Sequence, residues 1–418
     1  MKFLDRILGY NELNFYAIAL DVGTEYVKAL IFKVEEGVAH IVGAGRTHQA
    51  LKDMQGGAIT DISGVIANCS TALDSASKMA GVMPDRVIMG IAGELVKGAT
   101  TTITYTRKNA DKKIDQKELK EIMGRVQEKA YGQIRSQIAW ETGKAEIDVR
   151  LVNAAIVDVR IDRHQVSNPI GFTGKHVKVD VYNAFAPMIY LGALESTAEN
   201  LGLDLLGIAA EPYAVAKCVG MEQGKDFSAI FIDIGGGTTD IAVVRAGGLE
   251  GTRIFSIGGR AFTKRIAREL DLVFGEAEEL KLSYSRGTLE AHQKEQVQKV
   301  ISDDIAIWLK GVTMILREFG DSELLPRRML LCGGGSLLPE VRHSLASEQW
   351  HKDLPFAGRP IVEFIEPGDV NNVMDDTGTL RDTSDVTSMA LANLAVELIE
   401  GVNPMADVLR KTAENIVQ

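Results

Sequence analysis

The stretch FIDIGGGTTDIAVV, Phe231 to Val244, begins as a β-strand, breaks at three glycines and two threonines, and resumes as a strand. One carboxylate stands on each side of the break, Asp233 before it and Asp240 after it. Glycines at a strand break let the backbone approach a ligand with its N–H groups turned toward it. Threonine hydroxyls add further donors. Gly235, Gly236, Gly237, Thr238 and Thr239, closed by Asp240, therefore suit phosphate oxygens. A dinucleotide fingerprint would need its glycines to open a helix, and a P-loop would need Gly-Lys-Ser/Thr; here the glycines run into a second strand.

The same unit occurs earlier in the chain. YAIALDVGTEYVKALIFKVEEG (Tyr16–Gly37) and SAIFIDIGGGTTDIAVVRAGG (Ser228–Gly248) both read strand, Asp-apolar-Gly, threonine-bearing turn, strand, glycine turn. Two copies of one supersecondary unit imply two related halves facing each other. Gly23, Thr24 and Lys28 then belong to a first phosphate turn that faces the second across a cleft. Asp21 and Asp233, at the carboxyl ends of their strands, are placed to hold Mg²⁺, mostly through its water shell.

Three further motifs extend the site. In LLCGGGSLLPEV (Leu330–Val341) a strand runs into Gly333, Gly334, Gly335 and Ser336, a close-approach turn suited to a flat base or ribose. Glu278 and Lys281 lie three apart on one helical face, positioned either for ribose hydroxyls and base or as a solvated pair. Glu211-Pro212 opens a helix, and its carboxylate is suited either to orienting a water at a terminal phosphate or simply to starting the helix. Gly258 and Gly259 precede a helix that begins close after the second phosphate turn and join the cofactor-binding set. Glu211 and Asp233 are the candidate catalytic residues.

Composition bounds the reading. The chain has 418 residues, 45% hydrophobic and 25% charged, as in a soluble globular protein. A net charge of −11 argues against a general nucleic-acid binder. Cys69, Cys218 and Cys332 are sparse and far apart, which suggests free thiols in a reducing compartment. The first residues lack the long apolar core of a signal peptide, and no apolar run reaches the length of a membrane span. The expected location is cytoplasmic, with any membrane contact peripheral.

The motifs, in this order, resemble those of the actin and heat-shock-chaperone ATPase superfamily, and within it those of FtsA, the bacterial cell-division actin. NPIGFTGKHVKVDVYNAFAP (Asn168–Pro187) resembles the end of the small inserted domain (SHS2) of that family, and FSIGGRAFTKRIARELDLVFGEAEELKLSYS (Phe255–Ser285) its second-half nucleotide region. The implied fold is α/β: a duplicated actin-like ATPase fold with a small inserted α+β domain. The expected division is a first half over 1–84, the insert over 85–186, a second half over 187–250, a nucleotide-side subdomain over 251–320, and the remainder with a return helix over 321–418.

The resemblance implies an ATP- and Mg²⁺-binding protein with at most slow hydrolysis. Such a protein assembles into filaments and links the FtsZ ring to the cytoplasmic face of the inner membrane at the septum. Arg260, Lys264 and Arg268, four apart on a helix, are a candidate basic stripe for the acidic FtsZ tail. Amphipathic segments MKFLDRILGY (Met1–Tyr10) and NPMADVLRKTAENIVQ (Asn403–Gln418) are candidate membrane contacts, although the second lacks the linker and basic excess usual in the family and reads equally as a helix docked on the body. Ala390 stands where the family usually has glycine. Two other readings share the superfamily: a PilM-like pilus-assembly adaptor, which would bind a PilN peptide, and a carbohydrate kinase, for which no sugar pocket with a catalytic aspartate is recognisable.

Overall fold

The computed structural model describes residues 15–143, 147–220, 224, 226–321, 323–347 and 349–400. The two candidate membrane segments lie outside the described residues.

The chain opens with an antiparallel meander of β1 (Tyr16–Val22), β2 (Tyr26–Glu35) and β3 (Val38–His48). A small ribbon, β4 (Met54–Gln55) with β5 (Ala58–Ile59), follows. Helix α1 (Ile62–Ala80) starts where Asp61 accepts a hydrogen bond from the Gly64 N–H and stops at Gly81, whose φ of 71° only glycine adopts cheaply. Its buried face, Val65, Cys69, Ala72, Leu73 and Ala76, has helical spacing. The helix carries the chain across to β6 (Arg86–Ile91), which pairs in parallel with β1.

An excursion follows: β7 (Lys97–Thr106), α2 (Gln116–Thr142), β8 (Val149–Ile161), β9 (His164–Gln165) and β10 (His176–Pro187). Asp115 caps α2 by accepting from the Glu118 N–H at 2.9 Å, as the capping-box spacing predicts. The helix runs on to Thr142 because Ile134 and Ile138 continue its buried face up to Gly143. Ile122, Met123 and Val126 of α2 close over Val159, Val177 and Val179 of the strands beneath, giving the insert its own core.

Helix α3 (Met188–Asn200), β11 (Asp204–Ala210) and α4 (Glu211–Val219) return to the first sheet. The second repeat is β12 (Ala229–Ile234), β13 (Thr239–Arg245) and β14 (Gly248–Phe255). Then come α5 (Gly259–Leu270), α6 (Phe274–Ser285), α7 (Ala291–Gly320), β15 (Arg328–Cys332), α8 (Pro339–Ala346), β16 (Ile361–Phe364), β17 (Val373–Asp375) and α9 (Val386–Glu400). The sequence reads α5 and α6 as nearly one run, but Asp271, at φ 53°, ends α5 in a left-handed turn.

The first sheet has strand order β11-β6-β1-β2-β3-β17, and the second β16-β15-β12-β13-β14-β7-β10-β8-β9. Two expected boundaries therefore move. Strand β6, assigned to the insert on sequence, belongs to the first sheet because α1 is a β-α-β crossover onto β1. Residues 188–219, assigned to the second half, also belong there, because β11 pairs in parallel with β6.

Strand β12 shows why its sequence is apolar without alternation. Ala229 and Phe231 face the core shared with the first half, whereas Ile230, Ile232 and Ile234 face a second core with Phe262, Trp308 and Leu316. A strand covered on both faces buries every side chain. Each large one contributes about 1.5–3 kcal/mol relative to exposure, and the two cores together hold the hairpin rigid beneath the cleft.

Candidate nucleotide site

The two repeats form the same turn. In the first, Asp21 pairs with Lys28 across the hairpin and the Gly23 N–H donates to the Tyr26 carbonyl at 3.1 Å. In the second, Asp233 pairs with Asp240 and the Gly235 N–H donates to the Thr238 carbonyl at 3.0 Å. The turn bond thus runs from the second to the fifth residue after the aspartate in both copies.

The turns touch. A Cβ placed on Gly236 would lie 2.6 Å from the Glu25 Cβ, and one on Gly237 would lie 2.6 Å from the Thr24 Oγ1. Only glycine permits this approach. The start of α5 locks the second turn: the Gly259 N–H donates to the Gly235 carbonyl and the Arg260 N–H to the Gly236 carbonyl, each at 2.8 Å. From below, Trp308 Nε1 donates to the Thr239 Oγ1 at 2.9 Å, and that hydroxyl donates to the Ile257 carbonyl at 2.7 Å.

A cleft of about 1020 Å³, counted with its opening to solvent, runs between the halves. Asp21, Gly23, Thr24, Lys28 and Glu211 line it from one side; Asp233, Gly235, Gly236, Thr238, Asp240 and Gly259 line it from the other. Glu278, Lys281 and Gly333–Gly335 line it as well. Four sequence candidates are not in the lining but support it. Gly237 packs on Thr24, Thr239 is the internal anchor just described, and Gly258 packs on Gly235 and Gly236. Ser336 donates to the Gly333 carbonyl at 2.6 Å and so holds the glycine turn. Gly333 has φ 80°, and a Cβ there would sit 2.1 Å from Asp233 Oδ1.

Glu278 and Lys281 are a buried ion pair of 2.8 Å, not a solvated one. The Lys281 ammonium also donates to the Thr263 hydroxyl at 2.8 Å and the Gly259 carbonyl at 3.2 Å, tying α6 to the start of α5. The basic stripe does not form as expected. Arg260 is buried: its guanidinium pairs with Glu25 and donates to the carbonyls of Gln49 at 3.2 Å and Met54 at 3.3 Å. Residue 260 lies on the inner side of α5, where the second glycine turn meets the first half, so it cannot join the exposed Lys264 and Arg268. Ala390 is buried in the first core on α9, away from the cleft lining.

Sequence reasoning missed the contribution of DTSDVT, residues 382–387. Thr387 donates to Asp233 Oδ2 at 2.6 Å, and the Ser384 carbonyl accepts from the Lys28 ammonium. Thr383 donates to the Gly333 carbonyl at 3.2 Å. The signal was a polar cluster immediately before an apolar helix. Glu25, Tyr26, Arg46, Leu282, Ser285 and Leu338 also line the cleft without having been singled out.

The floor of the cleft is electrostatically uncompensated. Burial, and then the neighbouring Asp21, Asp240 and Asp233, push Glu211 well above the usual carboxylate range, while Lys28 acts in the opposite sense. Burial and Asp233 do the same to Asp240. Burial raises Asp233 too, against the pull of the Thr387 hydrogen bond and of Lys28. Asp240 Oδ1 is buried with no hydrogen-bond partner. Lys28, 3.6 Å from Asp21, is a cation beside this group. Hard oxygen donors around an unmet negative charge fit a Mg²⁺ ion. Among the described residues no three acidic, histidine or cysteine side chains converge tightly enough to hold one alone. The donor set thus fits an ion that keeps much of its water shell.

Comparisons with known proteins agree with this architecture. The family model described as "Cell division protein FtsA" matches residues 230–390. The chain is 24% identical to the cell division protein FtsA of Pseudomonas aeruginosa, over 94% of this chain and 96% of that one. It is also 24% identical to FtsA of Bacillus subtilis, over 85% of this chain and 81% of that one. A solved structure described as the PilM-PilN type IV pilus biogenesis complex matches with a TM-score of 0.63 at 18% identity, covering 93% of this chain and 99% of that one. The fold is actin-like.

Proposed function

We propose that this FtsA-like, actin-fold chain is a cell-division adaptor that binds Mg²⁺-ATP in the cleft and uses it to control assembly. One observation carries the reading: two copies of the same aspartate-glycine-threonine turn meet face to face over Asp21 and Asp233. Backbone N–H groups and the Thr24 and Thr238 hydroxyls would take the phosphates. Asp21 and Asp233 would hold the ion through water, and the ion would supply the charge that the carboxylates and phosphates lack. Glu211, beside both aspartates, would orient water at the terminal phosphate. Hydrolysis would be slow at most, so the nucleotide acts mainly as a conformational ligand.

The link to FtsZ, filament formation and a peripheral position on the inner membrane rest on the likeness to FtsA. For the acidic FtsZ tail, Lys264 and Arg268 remain the exposed cations of the stripe. Among the described residues no helix is long and apolar enough to cross a membrane. The likeness to the PilM fold supports a second reading, a pilus-assembly adaptor. Titration calorimetry with Mg²⁺-ATP, followed by pull-downs with the FtsZ tail and with the PilN N-terminal peptide, tests both. No heat from any adenine nucleotide ends the nucleotide reading, and capture of PilN alone replaces the division role with the pilus one.

A further inference from the structure

The cleft has more acid than base in its lining: six carboxylates face three cations, Lys28, Arg46 and Lys281. Two of the cations are committed. Lys28 sits beside Asp21 and donates to the Ser384 carbonyl, and Lys281 is paired with Glu278. Arg46 is the one lining cation, among the described residues, without a carboxylate partner. Its guanidinium rests 3.6 Å above the centre of the Tyr26 ring, and its side chain is exposed.

Register places Arg46 in line with the phosphate machinery. Asp21 lies directly opposite Lys28 on β2, and Lys28 directly opposite Arg46 on β3. Directly paired residues on neighbouring strands present their side chains on the same face of the sheet. Strands are about 4.8 Å apart, so Arg46 stands about 9–10 Å from Asp21 along this row. Leu282, Ser285 and Leu338 line the cleft from the second half, away from β1–β3, and offer a base apolar and small surfaces. Arg46 therefore belongs to the phosphate end.

We propose that Arg46 is a parked phosphate ligand: it leaves the Tyr26 ring to grip the terminal phosphate of a bound nucleoside triphosphate. An exposed guanidinium over a ring is held weakly, whereas an arginine fork on phosphate forms two charge-assisted hydrogen bonds. Arg46 would thus distinguish triphosphate from diphosphate, using the outer strand of the first half as its mount. The proposal rests on the nucleotide reading above.

The test is calorimetry on the full chain with Mg²⁺-ATP and Mg²⁺-ADP, comparing wild type, R46Q and R46K. R46Q is expected to weaken ATP by about tenfold or more and ADP by less than about threefold. R46K, which keeps the charge but not the fork, should fall between wild type and R46Q for ATP. Equal weakening of both nucleotides, or none, overturns the proposal while leaving the nucleotide site intact. A wild-type chain that binds neither nucleotide overturns the underlying reading and Arg46 with it. Should R46Q not fold, the ATP-to-ADP split in R46K decides by the same criterion.

Discussion

Arg260 and Glu25 join the two halves of the molecule through a buried ion pair, with side chains only 8% and 11% exposed. Arg260 reaches from the start of α5 to Glu25 in the first aspartate-glycine-threonine turn and to the Gln49 and Met54 carbonyls after β3, while its own backbone N–H donates to the Gly236 carbonyl in the second turn. Glu25 is shared with His48, whose Nε2 lies 2.6 Å from Glu25 Oε1. One side chain thus ties the two glycine turns together.

Removing one partner of a buried pair leaves the other charge stranded, at a cost of about 3–5 kcal/mol. R260A should lower stability by about that amount and weaken nucleotide binding as well. Denaturant melts of R260A, E25Q and the double variant check this. A double variant no better than the sum of the singles would mean the two residues do not act as a pair.

Gly236→Val should separate the loops, because the added carbons meet Glu25 where a single Cβ already comes within 2.6 Å. The fold has two independent cores to sustain it, so the expected effect is on binding: about tenfold or more lost for ATP, with far-ultraviolet circular dichroism unchanged. Wild-type affinity in this variant would show that the ligand does not bridge the turns.

Chelation should weaken nucleotide binding in the wild type. In D233N the same chelation should change little, because one water-shell carboxylate is gone and the Thr387 hydroxyl has lost its charged acceptor. Affinities measured with and without EDTA decide it. An unchanged metal dependence in both D21N and D233N would remove the aspartates from the ion's environment.

The cysteines make a prediction independent of the cleft. Burial pushes the Cys69 thiol from 9.0 up to about 12. Each pH unit is a factor of ten in thiolate, the reactive form, so native alkylation should be about a thousandfold slower than for an ordinary thiol. Burial, with Asp233 nearby, also raises Cys332 well above its usual range. Mass spectrometry after a timed iodoacetamide pulse, native against denatured, reads this out. Rapid native labelling of Cys69 would contradict its burial.

Much of the site was legible because its chemistry is local. A strand broken by glycines between carboxylates, met twice, was enough to pair Asp21 with Asp233 and to place the turns across a cleft. Capping signals at Asp115 and Gly81 marked helix ends for the same reason: the partner lies within three or four residues. What escaped was set by long-range pairing. Nothing near Arg86 announces that its strand docks beside β1, and the local pattern of Asp204–Ala210 does not say which half it joins. Arg260 misled because four-residue spacing reports a helix face without saying whether that face meets water or another subunit of the fold. Arg46 was silent because only the register of three strands aligns it with Lys28 and Asp21.

The continuous nine-stranded sheet has a consequence for anyone who would trim this molecule. The excursion between 97 and 187 packs on the first half through Asn153, whose amide oxygen accepts from the Ala210 N–H at 2.7 Å, and through Tyr182, whose ring stacks on Tyr213 at 5.5 Å, and it is stitched into the second half by β7 on β14, by Tyr182 to Thr252 at 3.0 Å and by Arg253 to the Gly98 carbonyl at 3.1 Å. Excising it would bare a raw edge along Gly251–Thr252, a template for sticking to other chains. The appendage works as a selvedge, and the shortened protein should precipitate where the full chain stays dispersed.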